Sequence, residues 1–410
     1  MNLRHDADTI IHAAIRSALP DEAVKKALND WSFPDGKLVL VAAGKGAWQM
    51  ASCAAELLRG RLSAGVCVTK YGHVQGEIPG VRCFEAGHPV VDENSLTGTQ
   101  AALDTVAGLT ENDAVLFLLS GGGSALFEKP LVPLAELQDI TRQLLACGAD
   151  ITEINTIRKR LSAVKGGRFA LACSPARVYS IVLSDVLGDP LDMIASGPAY
   201  PDASTCAQAL EIAERYQLRL TDEARALLAQ ETPKALTNVE TRVTGSVRQL
   251  CTAAAQAAEA LGYTPEILND HLDCEAKDAG LWLADIARRH QDTARSLAFI
   301  AGGETVVHLT GHGLGGRNQE LALSAARGIA GMDGTAVFSV GSDGTDGPTD
   351  AAGGYVDGAT QESLRAQGVE IDAVLADNDA YHALKAVDGL VMTGPTGTNV
   401  NDVCALLIRR

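Results

Sequence analysis

Two stretches, KLVLVAA (37–43) and AVLFLLS (114–120), are apolar at nearly every position and run straight into glycine, as GKG and GGGSA. A strand with one wet face alternates apolar and polar residues. One that is apolar throughout is covered on both faces, which is the pattern of a parallel sheet enclosed by helices. VYSIVLS (178–184) repeats the theme and opens into DVLGDP, and the shorter runs GVCVT (65–69) and GVRCFEA (80–86) lie between. Helical periodicity fills the gaps over about 46–58, 93–107 and 133–146. The first half therefore reads as an α/β chain with a parallel, doubly covered sheet.

A length of 410 residues exceeds what one core serves, so more than one domain is expected. The polar, aperiodic segment QETPKALTNVETRVTG (230–245) marks the border, giving domains 1–240 and 241–410. Ile10, Ile11, Ala14, Ile15 and Leu19 recur at helical spacing, so the N-terminus is an amphipathic helix lying on a core. The second half resumes with helices over about 246–260 and 275–289. SLAFIAG and ETVVHLTG, meeting at Gly302-Gly303, read as a tight hairpin and make this sheet mixed. A helix to about Gly328, the strand AVFSVGS (336–342) and a closing strand VCALLIRR complete it.

Net charge is −17, from 51 acidic against 34 basic residues, and no basic tract is interleaved with aromatics. That argues against nucleic acid and against an anionic membrane surface as partners. The nine cysteines include no CxxC pair and are odd in number, which fits a reducing compartment. The acids near the N-terminus make a poor signal peptide, and no run of 18 apolar residues exists. A cytoplasmic protein is expected. With an acidic chain, an anionic ligand would have to be gripped by particular Lys and Arg residues.

Ligands of open parallel sheets gather at the carboxyl ends of strands, and the loops there are unusual. In AAGKGAWQM, Lys45 enters a helix, where a cation opposes the helix dipole unless an anion is bound between them. The plainer reading is a solvated turn lysine. This loop only partly matches a dinucleotide fingerprint, because Gln49 stands where the third glycine belongs. In LLSGGGSALFEKP, Ser120, Gly121, Gly122, Gly123 and Ser124 form either a phosphate cradle or a plain turn. The GxSxG pattern of a hydrolase nucleophile is absent. Arg158, Lys159, Arg160, Lys165 and Arg168 are the densest basic cluster, to be read as a solvated helix face or as cations offered to phosphates. Asp185 and Asp189 in SDVLGDP are natural Mg²⁺ ligands or turn caps.

In GHGLGGRNQELAL, Arg317 falls in the first turn of a helix and again lacks a receiving anion. Asn318 and Glu320 can orient the loop or a bound hydroxyl. SVGSDGTDGPTDAAGG brings Asp343, Asp346 and Asp350 close in sequence, better suited to magnesium and phosphate than to a calcium loop. Asn378, Thr398, Asn399, Asn401 and Asp402 are suited to holding hydroxyls. The loop histidines His73, His88 and His312 show no second histidine at metal spacing.

Together, GKGAWQM, LLSGGGSAL, EINTIRKRLSAVKGGRFA, SDVLGDPLDMIASGP, GGETVVHLTGHGLGGRNQELAL, SVGSDGTDGPTDAAGG and TGPTGTNVNDV, in this order over nearly the whole chain, resemble the glycerate 2-kinases, a class that also carries a hydroxypyruvate reductase label. The resemblance implies a Rossmann-like N-terminal domain, a distinct α/β C-terminal domain, and an active site in the cleft between them. It implies ATP-dependent, Mg²⁺-assisted phosphorylation of D-glycerate at its 2-hydroxyl. Lys45 and Arg317 become the catalytic and substrate-facing cations, joined at the substrate by Asn318, Glu320 and Asn399. Ser120 to Ser124 and Lys165 are assigned to the nucleotide, and Asp185, Asp189 and Asp343 to the metal, with Asp189 also taking the hydroxyl proton. The partner is a small molecule, and a homodimer is the assembly to test. The competing enzyme is an NAD(P)H-dependent hydroxypyruvate reductase, and a sugar-phosphate-binding regulator is the non-catalytic reading.

Overall fold

The structure is a computed structural model that describes residues 2–29, 31–184 and 190–410. It divides into two compact units, Pro20–Thr244 and Met1–Leu19 with Gly245–Arg410. The expected border thus falls close to position 244, but the N-terminal helix Leu3–Ser17 joins the C-terminal unit. Its buried stripe, Ala7, Ile10, Ile11, Ala14 and Ile15, packs on the helix Val247–Ala260. Tyr263 Oη donates to Asp6 at 2.7 Å, and Thr398 Oγ1 donates to the Ala18 carbonyl at 2.7 Å. An apolar stripe says that a helix lies on a core and not on which one, so its sequence could not choose between the units.

The unit Pro20–Thr244 is built on a six-stranded sheet of β1 (Leu38–Ala43), β2 (Leu62–Lys70), β3 (Val81–Ala86), β4 (Ala114–Leu119), β5 (Arg177–Val182) and β6 (Val239–Val243). All neighbours are parallel, in the order β3-β2-β1-β4-β5-β6. β1 and β4 are buried along their full length, as their unbroken apolar runs require. Phe117, Phe127 and Phe169 interlock on one face with ring centroids 4.8 to 5.7 Å apart. A second core, from Val132 to Leu228, sits among the helices around Leu134–Ala146 and Ile151–Arg160. The strand order reverses between β1 and β4, and such a switch point opens a crevice at the carboxyl ends of the strands.

In the other unit, β7 (Thr264–Leu272), β8 (Leu297–Gly303), β9 (Thr335–Gly341), β10 (Gly353–Asp357), β11 (Leu390–Val391) and β12 (Asp402–Ile408) form a mixed sheet in the order β11-β10-β9-β12-β8-β7. Only β7 and β8 are parallel. The expected hairpin at Gly302-Gly303 does not form. β8 pairs with β12 instead, Gly303 opposite Asp402, and ETVVHLTG leaves the sheet with one bridge from Val306 to Glu275. Two apolar runs joined by glycines fit a hairpin locally, but β12, about a hundred residues downstream, supplies the pairing. Among the described residues no helix is long and apolar enough to cross a membrane.

Candidate active site

The crevice of the parallel sheet is framed by the loops after β1 and β4, and the two are tied together. The Lys45 amide donates to the Gly121 carbonyl at 2.8 Å, and the Gly46 amide to Ser120 Oγ at 3.0 Å. Gly122 adopts φ +85°, a left-handed conformation that costs a residue with Cβ. A Cβ there would also lie 3.0 Å from the His88 ring and 3.2 Å from Lys45 Cγ. The Gly121 and Gly122 amides donate to no acceptor among the described residues. Two open N–H groups beside the side chain of Lys45, which makes no ion pair among the described residues, are the groups from which an anion site is built. Lys45, Ser120, Gly121, Gly122, Gly123 and Ser124 are thus brought together.

Behind this loop the basic cluster is neither solvated nor offered to a ligand. Lys159 bridges Asp202 at 3.1 Å and Asp192 at 3.2 Å, and fully buried Arg160 lies 3.6 Å from Asp202 and 3.5 Å from Glu231. Lys165, expected at the nucleotide, is also fully buried. Its ammonium donates to the carbonyls of Phe127 at 3.1 Å and Ala195 at 3.3 Å and lies 3.6 Å from buried Glu128. Burial pulls its pKa down to about 8, against the opposing charge of Glu128. Its place is under the glycine loop, not in it. Arg158 Nη2 reaches the Ser124 carbonyl at 2.8 Å, and Ser124 Oγ contacts Ser196 Oγ at 3.3 Å, which donates to Asn155 at 2.8 Å. The helix Ile151–Arg160 therefore braces the loop from below.

The mixed-sheet unit holds a cavity of about 760 Å³ lined by Arg317, Glu320, Asp343, Asp346 and Asn399 together with the glycines of the loop 311–316. Arg317 opens the helix Arg317–Ile329, and the anion the sequence lacked is internal. Its fork grips Asp402 through Nε at 2.7 Å and Nη2 at 3.1 Å, while Nη1 donates to exposed Glu304 at 2.7 Å. Burial pushes Asp402 up to about 6 with Arg317 opposing, so it is still ionised at neutral pH. For Arg317, burial alone would lower the pKa, but Asp402 and Glu304 outweigh it and hold it above the ordinary value.

Asp346 caps the same helix, accepting from the Asn318 amide at 3.2 Å and the Gln319 amide at 2.9 Å. Asn318, expected at substrate, turns instead into the core. It receives Ser339 Oγ at 2.6 Å, gives Nδ2 to Asp346 at 3.3 Å and does not line the cavity. Glu320 accepts from Asn378 Nδ2 at 2.7 Å, its second oxygen is buried without a hydrogen-bond partner among the described residues, and burial raises its pKa. Asp350 accepts from Tyr381, so Asp343, Asp346 and Asp350 do not converge as one metal site.

Of the expected metal ligands, Asp185 and Asp189 lie outside the described residues. Among the described residues no three His, Cys, Asp or Glu side chains stand close enough to hold a metal by themselves. Magnesium commonly takes one or two carboxylates and completes its shell with water and substrate phosphate. Half-buried Asp343, on the wall of an acidic cavity, fits that share. Sequence reasoning missed Glu304, Glu128 and Lys70 and saw His73 and His88 only as loop histidines, since the fold alone sets them beside the loops after β1 and β4.

Residues 6–229 match a family described as a domain of unknown function (DUF4147), and residues 297–402 match the MOFRL family. The chain is 51% identical to a D-glycerate 2-kinase of Thermotoga maritima, over 99% of each chain. A glycerate 2-kinase of Pyrococcus horikoshii is 39% identical over 100% of this chain and 98% of that one. A protein of Agrobacterium vitis carrying a hydroxypyruvate reductase name is 40% identical over 97% and 93%. The crystal structure of a glycerate kinase from Thermotoga maritima matches with a TM-score of 0.95 at 51% identity, over 99% of both chains. That of a protein from Pyrococcus horikoshii matches at 0.94 and 39%, over 100% and 99%. Half-identical to a glycerate 2-kinase from end to end and sharing its fold, the chain belongs to the glycerate 2-kinase family.

Proposed function

We propose that this protein is an ATP-dependent D-glycerate 2-kinase, transferring the terminal phosphoryl group of ATP to the 2-hydroxyl of D-glycerate. The observation that carries the reading is the meeting, at the β1/β4 switch point, of the Lys45 side chain with the open amides of Gly121 and Gly122. Phosphoryl transfer asks little covalent chemistry of a protein. It asks for in-line positioning and for offset of the charge on the equatorial oxygens. In this reading the loop Ser120–Ser124 cradles phosphates and Lys45 offsets the charge that develops on them. Arg317, held by Asp402, orients the glycerate carboxylate, and Asn399, which lines the same cavity, is assigned to a substrate hydroxyl. Magnesium would be held by Asp343, where it would neutralise phosphate charge. A small-molecule partner suits the acidic net charge of −17, and sedimentation reads whether the chain forms a homodimer.

The reductase reading has a specific observation against it. A dinucleotide site holds the ribose with a carboxylate about twenty residues past the glycine loop, but β2 contains no acid and ends at Lys70. The test supplies purified protein with D-glycerate, ATP and Mg²⁺, and in parallel with hydroxypyruvate and NAD(P)H, and resolves products by mass. Phosphoglycerate carrying its phosphate on the 2-oxygen is expected. NAD(P)H consumption without phosphorylated product would overturn the reading.

A further inference from the structure

His88 follows β3 at the carboxyl end of the parallel sheet, and nothing so far gives it a role. Its ring stands against the left-handed Gly122. A Cβ on that glycine would meet Cδ2 at 3.0 Å, Nε2 at 3.1 Å and then Lys45 Cγ at 3.2 Å, so the nitrogen-bearing edge of the imidazole faces the loop carrying the free amides. No hydrogen bond engages either ring nitrogen among the described residues, although the ring is half-buried. Other histidines of the chain are engaged: nearby His73 Nδ1 meets the Lys45 carbonyl at 3.1 Å, and in the other unit His271 and His382 each contact a carboxylate.

The groups whose charge acts on His88 come from the ends of two strands and are all basic: Lys45 after β1, and Lys70 at the end of β2 with His73 in the turn that follows. Burial first, and then these three charges, hold the imidazole below its ordinary pKa. At neutral pH it is therefore uncharged and keeps a lone pair. The carboxylates described on this side of the sheet are engaged: Asp92, packed against Gly87, accepts from Tyr71 at 2.7 Å and the Ser95 amide at 2.9 Å, Glu85 accepts from the Val74 amide at 2.9 Å, and Glu128 is sealed beneath the loop with Lys165.

We propose that His88 accepts the proton of the substrate hydroxyl during phosphoryl transfer, an assignment that rests on the kinase reading above. As the 2-oxygen bonds to the terminal phosphorus, its O–H bond breaks and the proton passes to the open ring nitrogen. The bond from phosphorus to the bridging oxygen breaks in the same event, and its electron pair leaves with ADP. An imidazolium among Lys45, Lys70 and His73 is disfavoured, so the proton is surrendered to water as product leaves and the site resets.

The experiment measures initial rates of phosphoglycerate formation by the full chain as wild type, His88→Gln, His88→Gly and Asp189→Asn, with folding checked by circular dichroism. Wild-type product is read first. If none forms, the kinase reading falls; all later outcomes concern His88 alone. In His88→Gln the expected loss is about 10²- to 10⁴-fold in kcat, with KM for ATP and D-glycerate within about threefold. In His88→Gly, added imidazole should restore rate in proportion to its free-base form between about pH 5.5 and 7.5. Asp402, lifted to about 6 by burial, titrates in the same window, so the rescue is read as the ratio of rates with and without imidazole at each pH. The His88→Gly rescue keeps the test decisive should His88→Gln fail to fold. A folded His88→Gln with kcat within about threefold of wild type overturns the proposal. So does a loss confined to KM for ATP, rescue independent of free base, or a kcat collapse in Asp189→Asn unmatched by His88→Gln.

Discussion

At the scale of single residues, Lys45 and Arg317 looked alike in sequence, each a cation at the start of a helix with no visible anion. The fold separates them. Arg317 is bound bidentately by buried Asp402, whereas Lys45 makes no ion pair among the described residues. Arg317→Ala would strand Asp402 without its counter-charge, at a cost of about 3–5 kcal/mol. A lowered unfolding midpoint should therefore accompany its lost activity. Glu304→Gln, on the exposed side of the fork, should change stability by less than about 1 kcal/mol. Lys45→Ala should leave the thermal midpoint almost unmoved while kcat falls about 10²- to 10³-fold, since the charge it offsets develops during transfer. His88 was illegible for a simple reason. A loop histidine without a metal-spaced partner carries no local signal, and its meaning comes from Gly122 and Lys45, which only the sheet places beside it.

At the scale of elements, the strands that read most clearly were those whose burial is complete. β1 and β4 are central and apolar at every position, and β5 is buried from Val178 onward. β6 and β7 were missed because they are edge strands with half-exposed faces, and VETRV or TPEILNDHL resembles a polar connection as much as a strand. The helix Arg317–Ile329 was legible in its periodicity but not in its cap. Gly316 at the N-cap offers no side chain, and the acceptor is Asp346 from a distant loop. Local capping rules see only neighbours in sequence. Asp346→Ala should cost about 1–2 kcal/mol through the lost cap, measured as a shift in denaturant midpoint at unchanged slope. Gly316→Ala should do at least as much harm, because its Cβ would lie 2.3 Å from Asp346 Cγ.

At the scale of the whole molecule, the two units should answer acid in opposite senses. In Pro20–Thr244, burial works to raise Asp202, but Thr232, Lys159 and Ser204 outweigh it and hold its pKa below the ordinary value. That stability is present above the ordinary carboxylate value of about 4 and is lost as pH falls further. In the other unit, burial raises Asp402, Asp346 and Glu320. A raised acid contributes stability that is complete below its unfolded value and is lost as pH rises through its folded one, about 6 for Asp402. Between pH 7 and 5 the unit with Trp282 should gain in unfolding midpoint, whereas the unit with Trp31 and Trp48 should weaken only below about pH 4. Single-tryptophan variants followed by fluorescence would separate them.

The most direct measurement of the central claim is single-turnover transfer from ATP labelled in its terminal phosphate, with D-glycerate and Mg²⁺, comparing wild type with folded Lys45→Ala. The expected result is label on the 2-oxygen of glycerate in the wild type, slowed about a hundredfold or more in the variant. Label that never leaves ATP, or that moves equally fast without Lys45, would contradict the assignment of the β1/β4 crevice as the site of phosphoryl transfer.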